Sequence, residues 1–145
     1  VQEYEDELKK LLEEICTVET YNGEFAKANE IKLDPSKLPI IYIDFTGEKP
    51  DGSFELTLDY SLYIAQAAYS SNKKLRNKSH EDIKNIIVDI NKKLYHATVL
   101  ESQPINVTGS RKILDAKNDN AYITVFQKNI NFTIPDNYIE GVNIE

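Results

Sequence analysis

Cysteine occurs once in the 145 residues, at Cys16; methionine and tryptophan do not occur, histidine occurs twice, and glycine and proline five times each. Each scarcity removes a class of function. A lone cysteine closes no internal disulfide and builds no cysteine-rich zinc site, and it suits a reducing compartment. There is no Gly-rich phosphate loop, no Gly-x-Ser-x-Gly elbow and no His-Glu-x-x-His pair, and Gly109-Ser110-Arg111 reads as a turn. Apolar runs are short: Leu38–Phe45, with Asp44 inside it, falls far below the 18 or more residues of a membrane span. The first residues lack the basic and apolar regions of a secretory signal, and the absence of methionine fits removal of an initiator or of a leader. Positive charge is also scarce, with 17 Lys and Arg against 24 Asp and Glu for a net −7. That balance argues against a protein that wraps a phosphate backbone.

What remains is the composition of an ordinary folded domain, 41% hydrophobic, 28% charged and 10% aromatic. At roughly 150 residues per domain the chain reads as one domain over 1–145. A chain of this size buries about 68–70% of its unfolded surface, enough for a real core. Three Asn-x-Ser/Thr sequons, at Asn77, Asn106 and Asn131, read as chance in so Asn-rich a chain.

Acidity is concentrated at the start. Residues 1–30 hold nine acids and three bases, whereas 31–145 hold fifteen and fourteen. Tyr4, Leu8, Leu11, Leu12 and Ile15 recur at helical spacing and predict an amphipathic helix over 2–16, its charged face either solvated or turned towards a partner. Thr17–Tyr21 reads as a short strand ended by Asn22-Gly23, and 24–38 as a loop or one irregular helical turn. Leu38–Thr46 reads as a strand buried on both faces. Gly47–Gly52 is a hairpin turn, and from Phe54 to Ile64 apolar and polar residues alternate as in a half-exposed antiparallel strand. Continued to Tyr69 that strand would reach roughly 50 Å, so it should bend at a bulge or project from its domain.

Ser70–Lys78 shows no periodicity and reads as a basic connector. Ser79 is the expected cap of a second helix, with Asp82 in an imperfect capping box and Ile83, Ile86, Ile87, Ile90 and Leu94 as its buried stripe to about Tyr95. Short strands are expected at Thr98–Ser102 and Ile105–Leu114, and a long one from Tyr122. In the last, the apolar phase changes from Ile123 and Val125 to Phe126, Ile130, Phe132 and Ile134, which implies a bulge near Val125-Phe126 or two unlike environments. Residues 136–145 read as a peripheral tail. The expected fold is α+β: a two-layer sandwich with a mainly antiparallel or mixed sheet, two principal helices packed on it and a long β-hairpin.

Chemistry is hard to place on this pattern. His80 and His96 lie at opposite ends of one expected helix, about 24 Å apart, and cannot share a metal or a triad. Cys16 reads as a small buried hydrophobe. Asp44 and Asp59, on adjacent strands, are the carboxylate pair open to a small metal-dependent nuclease or hydrolase, although no Lys or His completes such a site. The expectation is a non-enzymatic chain with no catalytic residues, cofactor or metal. Two basic features stand out, Lys73, Lys74, Arg76 and Lys78 in one stretch and Arg111-Lys112 in another. They serve solubility, or they form an assembly interface in which the acidic helix of one copy meets the basic loop of the next.

The order of these elements, with the Leu-Pro-Ile-Ile-Tyr-Ile opening at Leu38, the alternating Phe54–Ile64 strand and the Ser79–Tyr95 helix, resembles a known family. So does the late Arg111-Lys112-Ile113-Leu114 step followed by Ala121-Tyr122-Ile123-Thr124-Val125-Phe126. The chain is similar, over about 3–134, to the small tail proteins of Mu-type phages and prophages, the gene product thirty-seven family, which looks like the tail-terminator group. The first helix is more acidic here, and the chain richer in Asn and Lys, than the family pattern. The resemblance implies a viral structural protein that forms a homo-oligomeric ring, a hexamer, on the last ring of the tail tube. It would end tube polymerisation and meet the head-side connector or neck protein, with DNA only as the passing genome and no membrane. It also implies bacterial cytoplasm during assembly and the virion tail afterwards. The alternatives are another head-tail adaptor and the small metal-dependent enzyme.

Overall fold

The computed structural model describes residues 1–52 and 54–135. The Tyr4, Leu8, Leu12 spacing folds as α1, Gln2–Glu13, with those three side chains buried. Glu3 and Glu5 lie in its first turn, where carboxylates complement the helix dipole. Then follow β1 (Thr17–Thr20), single 3₁₀ turns at Ala28–Glu30 and Pro35–Lys37, β2 (Ile40–Pro50), β3 (Glu55–Ala68), α2 (Lys73–Leu94), β4 (Asn106–Asn118) and β5 (Ala121–Pro135). The strands form one mixed sheet in the order β1-β2-β3-β5-β4, with β1 and β2 parallel and all other pairs antiparallel. The expected α+β architecture of two helices on a mixed sheet is what forms. The peripheral tail expected at 136–145 lies outside the described residues.

Gly47–Pro50, expected in a turn, is the end of β2, paired as far as Pro50 opposite Leu56, and Gly109-Ser110-Arg111 lies inside β4. Three further expectations change. The basic stretch is not a connector: α2 begins at Lys73, and its cap is Asn72, whose side chain accepts the Lys74 N–H at 2.8 Å. Lys, Arg and Leu are good helix formers, so propensity carries these turns without an apolar stripe. Ser79 therefore sits inside the helix, buried and, among the described residues, without a hydrogen-bond partner for its Oγ. Thr98–Ser102 is a turn rather than a strand, because the Ser102 Oγ accepts the Val99 N–H at 2.8 Å and Ser102 N–H returns to the Val99 carbonyl at 2.9 Å. Third, β3 neither projects nor stands half exposed. It is the central strand, paired along Leu56–Ala65 with β2 and along Glu55–Ala68 with β5, so even Thr57 and Ser61 on its polar side are buried. The edges of the sheet are β4 on one side and, on the other, β1 and the part of β2 beyond Ile43, where β1 has ended.

The phase change in β5 is explained by the two faces of the sheet. Phe126, Ile130, Phe132 and Ile134 face the helices together with Ile41, Ile43, Leu58, Tyr60, Leu62 and Ile64. Ile123 and Val125 face the other way, with Ile40, Tyr42 and Ala65, beneath Ile31 of the segment that carries the chain from β1 across to β2. Parallel neighbours require such a crossover, and here it is built from two 3₁₀ turns instead of an α-helix. The expected bulge is real too, but it lies in β4, between Lys112 and Leu114, opposite Phe126 and Val125. No helix among the described residues is long and apolar enough to cross a membrane.

Candidate assembly surface

Lys73, Lys74, Arg76 and Lys78 occupy the first two turns of α2, all exposed, at the end of the sheet where β3 finishes and β5 begins. The first turn holds no acidic residue, so cations stand at the positive end of the helix dipole, an unfavourable place for them. Part of that charge is held locally. The Arg76 guanidinium lies 4.3 Å from the centre of the Tyr122 ring and Lys117 lies 5.6 Å from it, and Lys78 pairs with Asp82 at 3.2 Å. Cation–π contacts at exposed sites are worth about 0.5–1 kcal/mol. Lys117 was not singled out by its sequence context; its place opposite Tyr122 in the β4–β5 ladder brings it here.

Arg111 and Lys112 do not join this cluster as a pair. Successive strand residues point to opposite faces, and Lys112, opposite Phe126, lies on the helix side while Arg111, opposite Gln127, lies on the other. Lys112 is also paired, with Asp115 at 3.2 Å. Beside the basic turns, Ala67, Ala68, Tyr69, Leu75 and Ser79 line a notch of about 210 Å³ together with Gln66, Lys78 and Asp82, and Tyr69 and Leu75 stand 45% and 51% exposed there.

The opposite end of the sheet is acidic. The Tyr4 hydroxyl donates to Glu101 at 2.8 Å and Gln103 donates to Glu55 at 3.0 Å, so the start of α1, the β2–β3 turn and the 97–105 loop share one end. Burial, the Glu101 hydrogen bond and nearby acids push the Tyr4 phenol up to about 12. Burial, with Glu5 and Asp6 adding, pushes that of Tyr60 higher still. Phe54, 48% exposed and at φ 69°, lines a shallow hollow of about 230 Å³ with Glu55, Glu101, Ile134 and Pro135. A non-glycine residue in that left-handed region costs roughly 1–2 kcal/mol.

Asp44 and Asp59 lie diagonally across the β2–β3 ladder, Asp44 opposite Ser61 and Asp59 opposite Gly47. The side chains that bond to one another on this side are uncharged: Ser61 donates to Asn129 at 2.8 Å, and Gln127 to Ser61 at 3.2 Å. Burial raises the Asp44 carboxyl above its ordinary value. Among the described residues no three His, Cys, Asp or Glu side chains are grouped to hold a metal.

His80 is not in the first turn, because α2 starts earlier. Its Nε2 lies 3.1 Å from the Thr124 Oγ1 and 4.0 Å from Asp115, while Thr124 donates to the same carboxylate at 3.3 Å. Asp115 meets the same ring nitrogen as the hydroxyl, so this is a tie between helix and sheet and not a triad, in which the two would bond opposite nitrogens. His96 is exposed after the helix end. Burial pushes the half-buried Cys16 thiol up to about 11, which makes it unreactive.

No family model matches the chain, and no curated protein matches it.

Proposed function

We propose that this chain is a non-enzymatic structural subunit of a phage or prophage tail, a terminator that assembles as a ring on the tail tube, ends its polymerisation and joins tail to head. The observation that carries the reading is the polarity of the subunit, with cations gathered around Tyr122 at one end of the sheet and acids around Glu101 at the other. Opposite patches on one subunit favour head-to-tail self-association, which closes into rings when the rotation permits. The element order behind the resemblance to Mu-type tail proteins supplies the tail context. The partners are then further copies of the chain, the tube protein and the head-side connector, first in the bacterial cytoplasm and then in the virion.

The test is the tail-length distribution, by negative-stain electron microscopy, of particles from a lysogen with this gene deleted and then complemented. Overlong tubes or headless tails of uncontrolled length, restored by complementation, are expected. Tails of normal length joined to heads would remove the terminator role.

A further inference from the structure

The two ends of the sheet are matched in more than charge. Each has an apolar centre inside a charged rim, the arrangement of a protein interface. At the acidic end Phe54 and Ile134 are flanked by Glu55 and Glu101. At the basic end Tyr69 and Leu75 line the notch beside the Lys78–Asp82 ion pair, and Lys73, Lys74 and Arg76 stand exposed on the same helix turns as Leu75. β3 joins them, 14 residues long, which sets the ends about 45 Å apart. No subunit can therefore satisfy its own patches.

We infer that the Phe54 end of one copy docks on the Tyr69–Leu75 notch of a second copy. The exposed phenyl ring enters the notch, and Asp51 and Glu55 meet the cations of the first α2 turns. Two features select a second copy as the occupant: the rims are opposite in sign, and Lys73 and Lys74, which pair with no acid among the described residues, stand at a helix start where a carboxylate from outside would relieve the dipole. The contact is heterologous, so it propagates around a ring without a free patch at closure. This rests on the self-assembly reading above and names the surfaces that would carry it.

The experiment uses the full chain with Cys16→Ser, carrying Phe54→Cys in one preparation and Leu75→Cys in another. Mixed and oxidised, the two are expected to give a disulfide-linked dimer that neither gives alone. In sedimentation equilibrium at low salt, the triple change Lys73→Glu, Lys74→Glu, Arg76→Glu and the pair Asp51→Lys, Glu55→Lys should each weaken association by about tenfold or more. Mixing the two reversed proteins should restore it, an outcome that misfolding cannot produce. Oligomers without the mixed cross-link, or unaffected by both reversals, would overturn this contact while leaving the ring reading intact. A chain that stays monomeric with no cross-link would overturn the contact, and the tail-length phenotype then decides the terminator role separately.

Discussion

The two faces of the sheet use the same strands and differ in what covers them. Beneath the helices the apolar row of β3 runs from Leu58 through Tyr60 and Leu62 to Ile64, and ends at Gln66, which bonds Asp82 of α2 at 3.2 Å. Beneath the crossover it is confined to the stretch the short segment reaches, Ile40, Tyr42, Ala65, Ile123 and Val125, and beyond it the same face turns to Asp44, Asp59, Ser61 and Asn129. A long regular helix dries a whole face, whereas a crossover of two 3₁₀ turns dries only a patch. The strands encode the difference residue by residue.

The largest test of this contrast is Leu62→Ala, which opens a cavity under α2. It should cost about 3–4 kcal/mol by urea unfolding, within the usual range for buried leucine. A loss below 1 kcal/mol would mean that the helix face is loosely packed. Next comes Ile31→Ala on the crossover face, expected to cost about 2 kcal/mol because an irregular segment can settle onto the smaller side chain. Amide exchange should speed up across residues 21–38 and not in α2; uniform acceleration would show that the faces are one cooperative unit.

Two changes should be neutral or stabilising on the helix face. Tyr60 is buried with no partner for its hydroxyl among the described residues, so Tyr60→Phe should gain up to about 1 kcal/mol. Lys128 is 1% exposed, its ammonium held by the Thr108 carbonyl and by Ser110 at 3.1 Å, and burial lowers it from its ordinary 10.5. The unfolded chain therefore keeps that proton to higher pH, and stability at this site rises with pH up to about 10.5. Lys128→Met should stabilise by about 1 kcal/mol at pH 7, with the advantage shrinking as pH approaches 10. An advantage constant with pH would place its origin in packing.

The smallest effect is alkaline. Tyr4 on the helix face and Tyr42 on the crossover face are both raised from 10.0 to about 12, mainly by burial. Their protonated forms contribute stability that is complete below pH 10 and lost as pH rises towards 12. Tyr42→Phe should flatten the loss of melting temperature over that interval without changing it at pH 7, and an unchanged slope would show that Tyr42 does not set the limit.

Much of the fold was legible. The Tyr4-Leu8-Leu12 spacing predicts α1, the Ile40–Ile43 run predicts a strand buried on both faces, and the phase change at Val125-Phe126 predicts two environments. The basic turns of α2 were not, because an exposed helix needs no apolar period. Of the proposed assembly residues, Lys73, Lys74, Arg76 and Lys78 were visible as a charge run, but their separation from Arg111 was not, since it depends on which face of β4 each residue takes. Lys117, Tyr69 and Phe54 carry no local signal for a surface role.

The sequence by itself determined the first helix, the β2 strand, the alternation along β3 and the concentration of acid near its start, because these follow from the pattern of neighbouring residues. Only the tertiary structure decided that β3 is central, that the crossover covers part of one face, and that acids from α1, the hairpin and the 97–105 loop meet at one end. Strand order and long-range neighbours are set by which surfaces bury most together, and that competition is settled between segments far apart in the chain.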